Sequence, residues 1–291
     1  MTVASTMRFA EGDWFIESDI EGFSTALRID KLLHADRSDH QEMLVFENER
    51  MGRVLTIDGY IQVAEADEFI YHEMLTHVPM LAHGAVKRAL VIGGGDGGIL
   101  RELFRYPDLD AATLVELDRS VVDQSLKWMP FVSGGAFDDP RLELIFADGA
   151  AFVQVTDQRY DVVIVDSTDP VGPGEVLFTE AFYRDCRRVL RPGGVLATQN
   201  SLPFLQGPEA AAALSRLKTV FSIAKAYHVT VPTYFGGPMT LTLSSDATAP
   251  FEASEASLSQ RMAAAGLSLK CYTPGLHRAA FELPGYIQTA A

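Results

Sequence analysis

The sequence predicts an α/β fold: a doubly wound, mainly parallel sheet that ends in an antiparallel hairpin, preceded by a small N-terminal β domain. Three observations carry this. Short apolar runs alternate with helical periodicity from residue 88 to residue 221. A glycine cluster lies between the first of these runs and its helix. Two late strand-like runs follow one another with only a turn between them.

The elements can be justified in order. Residues 1–65 read as a β-rich domain, with strand-like runs at Ser24–Asp30, Glu42–Glu47, Arg53–Ile57 and Tyr60–Ala64. Asp58-Gly59 between the last two is a hairpin signal. Residues 66–291 read as the catalytic domain. From Asp67 to Ala82 the spacing of Phe69, Ile70, Met74, Val78 and Leu81 predicts a helix. The alternation then begins with strand Arg88–Ile92 and helix Ile99–Arg105. Ala112–Leu117 and Ser120–Met129 form the second pair, Leu142–Phe146 and Gly149–Val155 the third. Tyr160–Val165 is the fourth strand, and its helix Glu180–Leu190 stops at Arg191-Pro192-Gly193-Gly194. Val195–Gln199 and helix Glu209–Phe221 follow. Ala224–Thr230 and Met239–Ser244, joined by the turn-rich PTYFGGP, are expected to be antiparallel. That ending suits a methyltransferase-like Rossmann sheet better than a dehydrogenase.

Bulk composition narrows the function classes. The 291 residues, 47% hydrophobic and 22% charged, suit a globular enzyme of one large domain or two modest ones. No apolar run approaches the roughly 20 residues of a membrane span. The stretch MTVASTMRFAEGDWF has no apolar core of a secretory signal, so a cytoplasmic location is expected. Cys186 and Cys271 stand far apart without zinc-ligand spacing, which predicts reduced thiols and no metal site. A net charge of −15 argues against a nucleic-acid partner. It fits either simple solubility or the attraction of cationic substrates.

The chemistry-bearing motifs sit at strand ends. In Gly93-Gly94-Gly95-Asp96-Gly97-Gly98, glycines let the backbone approach a ligand closely. Glu116, at the end of the second strand, is placed to accept hydrogen bonds from the two hydroxyls of a ribose. Asp96 would repel a dinucleotide's phosphates, so the turn suits a cationic ligand. Asp148-Gly149 follows the third strand, where an adenine ring is usually met, although Asp148 reads equally as a helix N-cap. Asp166 and Asp169 follow the fourth strand in DSTDPVGPG, whose prolines and glycines suggest an ordered cover over residues 167–175.

These motifs together resemble the spermidine synthase family of aminopropyltransferases. GGGDGG, VELD, DSTDPVGP and PTYFGG carry the resemblance, supported by DHQEMLVFEN, GRVLTIDGYIQVAEADEFIYHEM and HVPMLAH. It covers nearly the whole chain. The resemblance implies that the aminopropyl group of decarboxylated S-adenosylmethionine, a co-substrate and not a cofactor, moves to a diamine such as putrescine. It implies Asp166 as proton acceptor, assisted by Tyr71 and Tyr234. It implies donor contacts from Gln41, Gly93, Gly95, Asp96, Glu116, Asp148, Gly149 and Pro173. Gln62, His72, Asp169 and Glu17 would line the diamine side, with Phe23 where eukaryotic members carry Trp. It also implies homodimers or homotetramers built through the N-terminal domain. Two rival readings remain: a methyltransferase using the intact donor, and a nonenzymatic polyamine or nucleoside sensor.

Overall fold

A computed structural model describes residues 12–167, 172–235 and 237–288. The N-terminal part forms two sheets. Strands β1 (Asp13–Ile20) and β2 (Phe23–Ile29) make an antiparallel ribbon. Strands β3 (Lys31–Arg37), β4 (Glu42–Asn48), β5 (Gly52–Ile57) and β6 (Tyr60–Ala64) make a four-stranded meander. At the predicted hairpin, Asp58 and Gly59 both take positive φ, 50° and 85°, and Ile57 pairs with Tyr60. Primed turns need that backbone hand. Strands β1 and β3 are not among the strand-like runs of the sequence.

The second part begins with helix α1 (Glu68–His83), in which every residue from 71 to 82 is buried. The helix is thus a core element with no solvent face. Strand β7 (Arg88–Gly93) then starts the large sheet. It is followed by α2 (Gly98–Leu103), β8 (Ala111–Glu116), α3 (Arg119–Trp128), α4 (Pro130–Ser133), β9 (Leu142–Phe146), α5 (Gly149–Val155) and β10 (Tyr160–Asp166). Helix α6 (Glu180–Val189), β11 (Leu190–Gln199), α7 (Gly207–Val220), β12 (Ile223–Thr230) and β13 (Pro238–Ser245) complete it. Three helices, α8 (Glu255–Ala264), α9 (Pro274–Ala280) and α10 (Gly285–Gln288), close the described chain.

The strand order is β12-β13-β11-β10-β7-β8-β9, parallel except for β13, which pairs antiparallel with both β11 and β12. This is the doubly wound, methyltransferase-like sheet that the sequence predicts. Its central runs are apolar at every position because both faces are covered. Val91 and Ile164 face the cluster containing Met74 and Leu75 of α1; Leu90, Ile92, Val163 and Val165 face Phe182 of α6 and Leu217 of α7. The Arg191–Gly194 segment lies inside β11 and not between helix and strand. The register jumps from Tyr160↔Leu190 to Val162↔Val195, so the extra residues bulge out at the sheet's lower end.

The small domain is bound to the large one through side chains. One face of the meander packs Met43, Val45, Leu55 and Ile57 against Val121 of α3, Val132 of α4 and Met129 between them. The other face packs Phe46, Val54 and Ile61 against Phe15 of β1. Ser38 Oγ donates to Asp118 Oδ2 at 2.5 Å across the junction. Cys186 is buried and Cys271 half-buried, both as free thiols. Among the described residues, no helix is long and apolar enough to cross a membrane.

Candidate active site

A cavity of about 300 Å³ opens where the strand order reverses, beside β7 and β10, with the N-terminal meander as its opposite wall. A doubly wound sheet binds ligands at this crevice. Asp166 is the register partner of Gly93, so the glycine turn and the fourth strand's carboxylate meet directly. A Cβ on Gly93 would stand 2.0 Å from the Asp166 carbonyl oxygen, and its φ is +77°. Glycine is required there.

One half of the cavity has groups suited to a nucleoside. Glu116 is buried, with Oε2 accepting from Gly95 N at 3.1 Å and Oε1 from Asp118 N at 2.9 Å. Burial pushes its carboxyl up to about 7 against those two N–H groups. Asp148 caps α5, its Oδ1 accepting from Ala150 N at 2.7 Å and Ala151 N at 3.1 Å, and it also lines the cavity. The N-cap reading is therefore observed, and the same residue also faces the cavity. Gln41 lines the cavity from the meander side, and its Oε1 is buried without a protein partner.

The other half is acidic and aromatic. Tyr71, on α1, donates its hydroxyl to Asp166 Oδ1 at 2.7 Å, while Asp166 Oδ2 is buried without a partner among the described residues. Burial first, and the Asp96 charge second, push the Asp166 carboxyl up to about 6. Tyr234 meets Tyr71 edge-on at 5.7 Å and donates to the Gln62 carbonyl at 2.7 Å, which leaves its oxygen able to accept. Asp96 Oδ1 accepts from Gly98 N at 2.6 Å and faces His72 Nε2 at 3.4 Å. Glu17, buried on β1, lines the far wall, and Thr25 Oγ1 donates to it at 3.5 Å. Phe23 packs edge-on against the lining residue Phe235 at 5.2 Å.

The expected site residues thus converge, with two exceptions. Asp169 and the side chain of Pro173 lie outside the described residues, and the Pro173 backbone belongs to a 3-10 turn over Gly172–Phe178. His72 turns one nitrogen to Glu68 at 2.5 Å and the other to Asp96, so it meets the cavity beside two carboxylates.

A model of the spermine/spermidine synthase domain matches residues 68–253, and one of the spermidine synthase tetramerisation domain matches residues 13–65. The chain belongs to the spermine/spermidine synthase family. It is 49% identical over 275 residues to the polyamine aminopropyltransferase of Ruegeria sp. (strain TM1040), covering 94% of this chain and 97% of that one. It is 48% identical to polyamine aminopropyltransferase 1 of Pseudomonas aeruginosa, covering 94% and 96%. A crystal structure of spermidine synthase in complex with the transition-state analogue AdoDATO superposes with a TM-score of 0.90 at 34% identity, covering 98% of each chain. The Thermotoga maritima spermidine synthase superposes at 0.88 and 32% identity, covering 100% of this chain and 99% of that one. The chain is therefore a transferase of polyamine biosynthesis, an aminopropyltransferase.

His72, Asp96 and Asp166 each bring one possible ligand atom within 4.8 Å of the others. Both ring nitrogens of His72 already face carboxylates, however, and Asp96 and Glu68 hold its pKa up to about 10 despite burial.

Sequence reasoning missed several lining groups. Gln199 and Ser201 lie at the carboxyl end of β11, and Gln206 just before α7. Gln199 Nε2 donates to the Ser167 carbonyl at 3.3 Å, just past the end of β10. The rule that strand ends face the crevice would have flagged the first two.

Proposed function

We propose that the protein moves the aminopropyl group of decarboxylated S-adenosylmethionine to putrescine, giving spermidine and methylthioadenosine, with Asp166 as general base. The observation that carries this reading is Asp166 itself. It is buried beside a second carboxylate, held by Tyr71 through one oxygen, and its other oxygen is unpartnered at the cavity.

The chemistry follows from the charges. The acceptor nitrogen attacks the aminopropyl carbon, and the C–S electron pair leaves with sulfur as the neutral thioether methylthioadenosine. The nitrogen must first lose a proton. An alkyl ammonium near 10.4 and an ordinary Asp near 3.9 differ by about 6.5 units, or roughly 9 kcal/mol. With Asp166 at about 6, the gap is 10.4 − 6, about 4.4 units or roughly 6 kcal/mol. Desolvation of the ammonium and the donor's two positive charges act in the same direction on the remainder. The Oδ2 atom takes the proton, Tyr71 holds Oδ1, and the Tyr234 oxygen accepts an N–H and so aims the lone pair. Glu116 would hold the ribose, Gln41, Asp148 and Gly149 the rest of the nucleoside, and Asp96 the donor's ammonium. Gln62, Asp169 and Glu17 would line the diamine path. No cofactor enters this scheme. Homodimers or homotetramers, assembled through the N-terminal domain, are the proposed form, acting in the cytoplasm without nucleic-acid or membrane partners.

Steady-state comparison of putrescine, cadaverine, agmatine and spermidine tests the acceptor. Putrescine should give the highest kcat/KM, and a higher value for any of the others would overturn that assignment.

Glu116→Gln should weaken methylthioadenosine and donor binding together by roughly 1.5–3 kcal/mol. The amide would also point an N–H at Gly95 N or Asp118 N, both donors. In the unmutated protein, ribose hydroxyls favour ionised Glu116. Affinity should therefore be full above pH 7 and fall, by up to about tenfold per unit, below the carboxyl's value of about 7. Calorimetry between pH 5.5 and 8.5 reads this. An affinity for methylthioadenosine that neither the substitution nor pH changes would remove Glu116 from the ribose site.

A further inference from the structure

Behind the glycine turn, four charged side chains of alternating sign run from the protein's outer layer to the cavity. Arg101 of α2 grips Glu68 with two bonds, Nη1 to Oε1 at 3.0 Å and Nη2 to Oε2 at 2.9 Å. Glu68 Oε2 meets His72 Nδ1 one helical turn along α1, at 2.5 Å. His72 Nε2 faces Asp96 Oδ1 at 3.4 Å. Only the last two line the cavity. The ring packs closely on Gly98, where a Cβ would stand 2.3 Å from His72 Cε1. We infer that Glu68 and Arg101 are positioning residues for the transfer reaction: they hold His72 as a cation between two carboxylates, so that Asp96 stays ionised beside Asp166.

The electrostatic reason is like-charge repulsion. Two carboxylates in a dry site compete for one proton, and the loser's pKa rises. The groups facing His72 are Glu68 and the Tyr71 ring from α1, Asp96 from the glycine turn and Asp166 from β10. Tyr71, Tyr234, Asp96 and His72 in turn surround Asp166. His72 is the sole cation in that inner group among the described residues. Without Glu68, only one of the two carboxylates that meet the ring nitrogens remains, and the ring's charge becomes harder to keep. Asp96 and Asp166 would then face each other with less compensation, and the base would hold its proton to higher pH. Arg101 acts one step further out, by fixing where Glu68 points.

The inference rests on Asp166 being the base, and the test separates the two ideas. The pH profile of kcat/KM for the acceptor is measured on the intact oligomeric enzyme. Unmutated protein should show an acidic limb near 6 that is absent from the residual activity of Asp166→Asn. Glu68→Gln should move that limb up by about one pH unit or more. Above it, activity should fall by less than about threefold, because no group touching the reactants has changed. His72→Gln should shift the limb the same way, and adding Glu68→Gln to it should shift it no further. Glu68→Asp, which keeps the charge, should return the limb towards 6. A limb lost in Asp166→Asn but unmoved in Glu68→Gln overturns the positioning role and leaves the base assignment standing. A limb that persists in Asp166→Asn overturns the base assignment instead. Imidazole nitrogen resonances of the unmutated enzyme, assigned by their loss in His72→Gln, give an answer independent of activity and of the Glu68 variants' folding. Two protonated nitrogens at pH 8 support the inference, and a neutral ring there overturns it.

Discussion

Asp166→Asn should lower turnover by about 10² or more at neutral pH, with methylthioadenosine binding close to that of the unmutated protein. The substitution is nearly isosteric, and Tyr71 can still donate to the amide oxygen that replaces Oδ1. Folding should survive, because Asp166 is the last residue of β10 and its backbone pairing with Gly93 is unchanged. What is lost is the unpartnered Oδ2, the atom assigned to take the acceptor's proton. An amide cannot take it. Single-turnover assays with preloaded donor read the chemical step apart from binding. A rate near that of the unmutated protein would eliminate Asp166 as the base.

Decarboxylated donor should bind at least about tenfold more tightly than intact S-adenosylmethionine, and Asp96→Asn should narrow the difference. The intact donor carries a carboxylate next to its ammonium, and both Asp96 and Asp166 line the cavity. At an effective dielectric of about 20, two like charges near 4 Å apart repel by roughly 4 kcal/mol before screening. The His72 cation offsets part of this, so that figure is an upper bound. Asp96→Asn should weaken decarboxylated donor and weaken the intact donor less, or strengthen it. It should also lower the acidic limb of activity below 6, since the Asp96 charge helps to raise the Asp166 carboxyl. This is opposite in sign to the shift expected for Glu68→Gln. Inhibition of transfer by intact donor, measured in both proteins, reads the selectivity change. An unchanged inhibition ratio would remove Asp96 from donor discrimination.

The cavity-lining groups of the large sheet were legible in the sequence because they stand at strand ends. Gly93, Glu116, Asp148 and Asp166 each follow an apolar run whose end faces the crevice. Tyr71, Tyr234, Gln41 and Glu17 came from the family resemblance, since nothing local brings a helix residue, a turn residue, a meander-side residue and a ribbon residue together. Strand β1 was not legible because buried Glu17 breaks its apolar alternation, leaving Phe15 buried and Ile16 exposed. Strand β3, KLLHADR, has no buried residue and so no core-facing pattern. The C-terminal helices are short and gain their support from α1, where buried Glu73 accepts the N–H groups of Lys270, Cys271 and Tyr272 at 2.8, 2.7 and 2.8 Å. The Glu68–Arg101 pair spans 33 residues and two helices, so only a three-dimensional structure discloses it.

Calorimetric titration of the unmutated protein with decarboxylated and intact S-adenosylmethionine, at one pH and one ionic strength, tests the central claim most directly. That claim is that the site selects a donor tail by its positive charge. The account predicts an affinity at least about tenfold higher for the decarboxylated form, with the gap narrowing in Asp96→Asn. Equal affinities in the unmutated protein would contradict charge selection and return methyl transfer from the intact donor to consideration.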